Sequence, residues 1–287
     1  MNASSAIFLV LCLPGLSFAQ TVVGLSGGYP DSKTNQELVS QRRAQRQIRE
    51  SATSGASPRI VVYSGDRVIP QFVDGSSWQT AITVVNLESH PTSFDVLFFA
   101  DNGNNLDVPV VGQGIVHGMN ISLETAGTFT FETSGRNPNL AAGWALLSQA
   151  NSDSVGIFAI FRQTVAGRQA QEAVVPSVNQ YSSHFVLPFD NTQYITGIAL
   201  ANPTLNRVSI PVRIRNEVGQ IIDTRQFSLE PYSHAAFALP DTWSSTAGRR
   251  GTLEFLTSGF GVGALGLRFN GAAFTSLSVL ENIAWVN

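Results

Sequence analysis

Cysteine is all but missing: Cys12 is the only one in 287 residues. A disulfide framework and a cysteine-ligated metal are therefore excluded, and the chain must be held by its cores alone. Long apolar runs are missing too. The run over residues 6–16 is too short to span a bilayer and nothing later approaches that length, so no transmembrane segment is expected beyond it. Charge is sparse at 13%, against a hydrophobic fraction of 43%. That balance excludes a disordered chain and argues against long surface helices, whose wet faces need Lys and Glu. With a formal net charge of -3 there is no basic field of the kind nucleic acid requires.

What is present is grouped along the chain. Residues 1–19 read as a signal peptide: an apolar run, a Pro14-Gly15 break, and small residues at Ser17 and Ala19 before cleavage at Gln20. The region before the run carries no Lys or Arg, which departs from the usual pattern. Leu11 is not the small residue that a lipid anchor on Cys12 would need. Residues 20–59 read as a flexible linker, rich in Gly and Ser, with one short helix expected within 35–50 carrying Arg42, Arg43, Arg46 and Arg49. Such charge runs are usually a solvated face; the alternative is contact with an acidic surface.

From residue 60 the pattern becomes strand-like and repeats. Trp78, Thr80, Ile82, Val84 and Asn86 recur as Tyr194, Thr196, Ile198, Leu200 and Asn202 at the same spacing. Phe94, Val96 and Phe98 fall over Ile210, Val212 and Ile214, and Asp74 over Asp190. Ser122-Leu123-Glu124 returns as Ser228-Leu229-Glu230. These ordered matches predict two copies of one domain, over 60–180 and 181–287. Period-two alternation predicts strands with one buried and one wet face, Asp95 and Leu97 lying on the wet one. Turn signals about every ten residues predict an all-β fold of two tandem antiparallel β-sandwiches. The few residues joining the copies, 179–183, predict that they pack against each other.

The string Ile69-Pro70-Gln71-Phe72-Val73-Asp74-Gly75, followed by Trp78 and Val85-Asn86, resembles a repeat common in exported bacterial proteins. Phe185 to Asn191 leading to Asn202-Pro203 does so again. That family is an immunoglobulin-like β-sandwich of largely unassigned function. The resemblance implies a fold and an exported location, covers nearly all of residues 60–287, and brings no catalytic residues with it.

Several motifs hint at chemistry. Gly24-Leu-Ser26-Gly27-Gly28 fits a nucleophile-elbow pattern but lacks the strand and helix that would make it one. Gly261-Val-Gly263-Ala-Leu-Gly266 fits a dinucleotide fingerprint, yet its match at Val155-Gly156 reads as plain strand, so a bulge or close backbone approach is expected. Asp101, Asn105 and Asp107 could offer oxygen ligands to calcium; the reading preferred is a turn in which Asn102-Gly103 supplies positive φ. The histidines His90, His117, His184 and His234 are scattered, without spacing suited to zinc. Asp74 and Asp190, like Asn86 and Asn202, read as turn residues bonding to nearby backbone. Asn120-Ile-Ser122 is a glycosylation sequon. Among Trp78, Trp144, Tyr194, Trp243 and Trp285, Trp243 is the best candidate for an exposed, ligand-binding ring.

No catalytic, cofactor or metal constellation emerges, and the expectation is a non-catalytic protein without cofactors. It is expected to be secreted or extracytoplasmic, serving as a structural or protein-interaction module whose partner is an extracellular or envelope protein. The alternative is a carbohydrate-binding module clasping a glycan through Trp243. A bare apolar patch favours the first, an exposed aromatic row the second.

Overall fold

The computed structural model describes residues 66–137, 140–149, 154–178, 184–257 and 261–281. The expected signal segment, the linker with its arginines, the motif around Ser26, and Trp285 lie outside them. The described residues are all-β and every strand pairing is antiparallel.

The first part of the chain gives β1 (Arg67–Asp74), β2 (Trp78–Asn86), β3 (Thr92–Ala100), β4 (Val108–Val110), β5 (Gly114–Val116), β6 (Gly118–Leu123), β7 (Thr128–Glu132), β8 (Ala141–Gln149), β9 (Val155–Gln163) and β10 (Gln171–Pro176). They form sheet I, in the order β1-β8-β3-β6, and sheet II, in the order β10-β9-β2-β7, with β4 and β5 as a separate hairpin. The second part gives β11 (His184–Asp190), β12 (Ile195–Ala201), β13 (Val208–Asn216), β14 (Ile221–Leu229), β15 (His234–Ala238), a one-turn α1 (Leu239–Thr242), β16 (Arg250–Leu256), β17 (Gly263–Asn270), β18 (Ala273–Leu277) and β19 (Leu280–Glu281). Their orders are β14-β13-β16-β11-β19 for sheet III and β15-β12-β17-β18 for sheet IV. With strands counted in chain order and the β4-β5 hairpin and β19 set aside, sheet III has the order of sheet I and sheet IV that of sheet II. The immunoglobulin arrangement keeps its first two strands in one sheet; β1 and β2 here fall in opposite sheets.

The correspondence reaches single bonds. β3 and β6 set Thr92 opposite Leu123, and β13 and β14 set Val208 opposite Leu229. The Asn86 amide donates to the carbonyls of His90 and Glu124 while its oxygen accepts from Glu88 N–H. Asn202 repeats this with Asn206, Glu230 and Thr204. One amide thus closes its own turn and ties it to a neighbouring loop, as expected of an Asx residue at a strand end. Of the two aspartates, one differs from expectation. Asp190 accepts from Thr192 N–H two residues on, as read. Asp74 instead accepts from Gly135 and Asn137 across the sandwich, because β1 carries a bulge between Ile69 and Phe72 that β11 lacks. Past the bulge it is Val73, not Asp74, that holds the register of Asp190, opposite Ala142 as Asp190 is opposite Arg250.

Each pair of sheets encloses a core. Ile82, Val84, Phe94, Val96 and Phe98 lie in the first, and Ile198, Leu200, Ile210, Val212 and Ile214 in the second, on the alternating positions expected. Asp95 and Leu97 do not face water: both are buried, and β3 is enclosed on both faces. The reason is a third apolar cluster, in which Val68, Leu97, Phe99, Trp144 and Leu146 on the outer face of sheet I meet Ala201 and Tyr232 of the second part. Phe99 is stacked between Trp144, at 4.6 Å, and Tyr232, at 5.3 Å. Trp144 Nε1 donates to Tyr232 O at 2.7 Å, and His234 Nδ1 lies 2.8 Å from Asp101 Oδ1. The two parts therefore pack against each other. Glycine permits the approach at Gly263, where a Cβ would lie 2.6 Å from Val68 Cγ1.

Candidate functional site

The residues singled out from sequence are mostly spent on structure. Trp243, expected as an exposed ring, is only 5% exposed. It follows α1, whose Leu239 carbonyl accepts from Trp243 N–H, and the turn folds the indole inward against Phe237, Phe227 and Phe255. A loop position next to a helical turn can aim its side chain back under the sheet, and Leu239 beside it is buried too. Trp78 and Trp144 are buried, and the Tyr194 ring is covered by the Arg268 guanidinium at 4.6 Å.

Asp101, Asn105 and Asp107 are not drawn to one point. The Asp101 carboxylate turns to His234, Asp107 turns to His117 at 2.7 Å, and Asn105 pairs its backbone with Phe99. Asn102-Gly103 forms the turn as expected, with Gly103 at φ +81°. That glycine has a second reason: a Cβ there would lie 2.5 Å from Pro231 O, across the joint between the two parts. His184 lies 3.1 Å from Glu254, and His90 faces the Pro91 carbonyl. Among the described residues no three of His, Cys, Asp and Glu gather as a metal-holding group. Gly263 to Gly266 lie within β17, paired to β12 and β18, without the turn and helix a dinucleotide would need. Asn120, of the sequon, sits on β6 and donates to Asp95 Oδ1. Among the described residues no helix is long and apolar enough to cross a membrane.

The outer faces of corresponding sheets differ between the two parts. The outer face of sheet IV presents Ala199, Ala201, Leu265 and Leu267, all buried against the first part. Register places Ala199 opposite Leu265 and Ala201 opposite Gly263. The matching pairs in sheet II are Thr83 opposite Phe158 and Val85 opposite Gly156. That face is open. Phe158 is 37% exposed, Val174 50% and Leu87 65%, with Pro176 exposed and Ile160, Ala81 and Val85 half-buried between them. Its rim is polar: Arg162 Nε bonds Glu172 at 2.6 Å, and Thr83 bonds Thr130 at 2.8 Å. Apolar centre and polar rim together are the anatomy of an interaction surface. Period-two alternation by itself does not distinguish an open outward face from a covered one.

The outer faces of sheets I and III diverge in the other direction. Where sheet I sets Leu97 opposite Leu146 and Phe99 opposite Trp144, sheet III sets Arg213 opposite Glu254 and Arg215 opposite Thr252. Glu254 is 1% exposed and accepts from Arg215 Nη2 at 2.9 Å, with Arg213 Nη1 at 3.6 Å and His184 beside it. Two guanidiniums around one buried carboxylate offset its desolvation and leave the face charged. Compared with known proteins, the chain matches no family model, no curated protein and no solved structure.

Proposed function

We propose that this chain is an exported, non-catalytic structural or protein-interaction module of the cell envelope or extracellular space, built from two copies of one β-sandwich. The open apolar face of sheet II around Phe158 carries the reading: a patch of this kind with a polar rim is made to be covered by another surface. The matching sheet orders and the paired Asn86 and Asn202 networks support duplication. The leader-like first 19 residues and the resemblance to exported bacterial repeats support the location. The glycan alternative loses its argument, since the indole of Trp243 is packed in the second core.

The reading is tested by placing a photo-crosslinking benzoylphenylalanine at Phe158 in the living source cell, with a control at the exposed Val218 of the β13-β14 turn. A discrete protein adduct at Phe158 and none at Val218 is the expected result. Equal, diffuse labelling at both positions would remove the reason for calling this face an interaction surface.

A further inference from the structure

Among the described residues the two sandwiches have four outer sheet faces, and two are consumed by the joint between the parts. Of the two left, that of sheet III has the Glu254 cluster at its centre with Ile221 and Leu280 exposed on its edge strands, and that of sheet II has its apolar residues contiguous around Phe158. Of these two faces, the one whose centre is apolar is that of sheet II, so among the described residues its best-matched counterpart on a second copy is the same face. Self-pairing of one face is isologous and closes on a two-fold axis.

The shape of sheet II suits such an axis. On β9, Phe158 projects outward and Gly156, two residues earlier, leaves a gap bordered by Val85 and Leu87. A knob and a gap on one strand, about 7 Å apart at strand rise, become complementary when a second copy is turned about an axis between them. Each ring then meets the other copy's gap. The molecule already uses the matching gap once: Gly263 holds the place of Gly156 in β17, and its missing side chain is the space that Val68 of the first part fills. Among the described residues nothing demands the glycine at 156. A Cβ there would meet Leu87 Cδ1 at 3.6 Å and Val85 Cβ at 3.9 Å, which is ordinary packing. Its φ is not in the left-handed region, so the backbone accepts alanine.

Resting on the reading of this face as an interaction surface, we propose that it is occupied by a second copy of this chain in a two-fold dimer. The Phe158 ring of each copy is seated over Gly156 of the other. The patch is only about three strands wide, small beside the roughly 800 Å² per partner of a standard interface, so the dimer belongs to the weak, transient class.

Sedimentation equilibrium of the exported chain, from about 5 to 500 µM, is the test. The weight-average mass should rise toward twice the monomer. Gly156→Ala, which fills the gap without straining β9, and Phe158→Ser, which removes the ring, should each weaken association at least fivefold while thermal unfolding of the dilute monomer keeps Gly156→Ala as stable as the parent. Monomer at every concentration, or a dimer indifferent to both substitutions, overturns the proposal. A crosslink from Phe158 to a different protein, without self-association, would also overturn it while leaving the interaction reading in place.

Discussion

Asp74 is the carboxylate least able to reach water: it is fully buried, and burial pushes its pKa up against the opposing hydrogen bonds from Thr133, Gly135 and Asn137. An acid whose folded pKa lies above its unfolded value favours the fold while both states are protonated. Stability is then lost as pH rises from the ordinary 3.8 through the raised folded value. Asp190 and Asp223 act with the opposite sign. Thr192 lowers the first and Ser245 the second, so each contributes stability that is lost as pH falls below the ordinary carboxylate range. Urea denaturation of parent and Asp74→Asn between pH 3 and 7 should separate the two. The variant is expected to lose the decline above 3.8 and to keep the rise below it; parallel curves would mean that Asp74 is not the group responsible. Asp74 also shows where residue-level reading stops. The turn bond expected of it forms only at Asp190; the one-residue bulge that moves Asp74 out of step with Asp190 depends on pairing with β8, which no local pattern encodes.

At the scale of elements, alternation located the strands well. β2 buries every second residue from Trp78 onward, and β13 does so from Val208 to Ile214. β3 is the instructive exception, since Phe94, Val96 and Phe98 face one core while Leu97 and Phe99 face another. A strand enclosed on both sides reads as a nearly continuous apolar run, and Leu97-Phe98-Phe99 is one. Leu97→Ala is therefore expected to cost about 2–5 kcal/mol, whereas Ser93→Ala, on the same side of β3 but exposed, should cost under about 1 kcal/mol. Chemical denaturation decides it: similar small values for both would mean that Leu97 faces solvent. The misplacement of Trp243 has a related origin. Its loop is polar in composition, and only the turn of α1 reveals that the indole is directed under the sheet.

For the whole molecule, the decisive feature is a joint with its own core. Val68, Leu97, Phe99, Trp144 and Leu146 meet Ala201 and Tyr232 there, with Trp144 Nε1 bonded across it. Unfolding either part strips apolar cover from the other, so the two are expected to melt together. Calorimetry should give one transition for the parent. Trp144→Ala, which removes a stacked ring and a buried bond, should lower it and divide it in two. Two resolved transitions in the parent would show that the parts are energetically separate. That they pack was foreseeable from the short connection; that Tyr232 and the small Ala201 of the second part meet Phe99 and Trp144 of the first was not, because alternation does not show which outward face is covered.

The charged outer face of sheet III has a further consequence. Arg213, Arg215, Thr252 and Glu254 stand where Leu97, Phe99, Trp144 and Leu146 receive the second part. A third sandwich joined behind the second would bring apolar surface down on a buried carboxylate and its guanidiniums, and would not be held. The joint is thus a polymerisation step whose product cannot serve as the next substrate: growth by this geometry stops at two, and lengthening the array would take a change of side chains before any change of length.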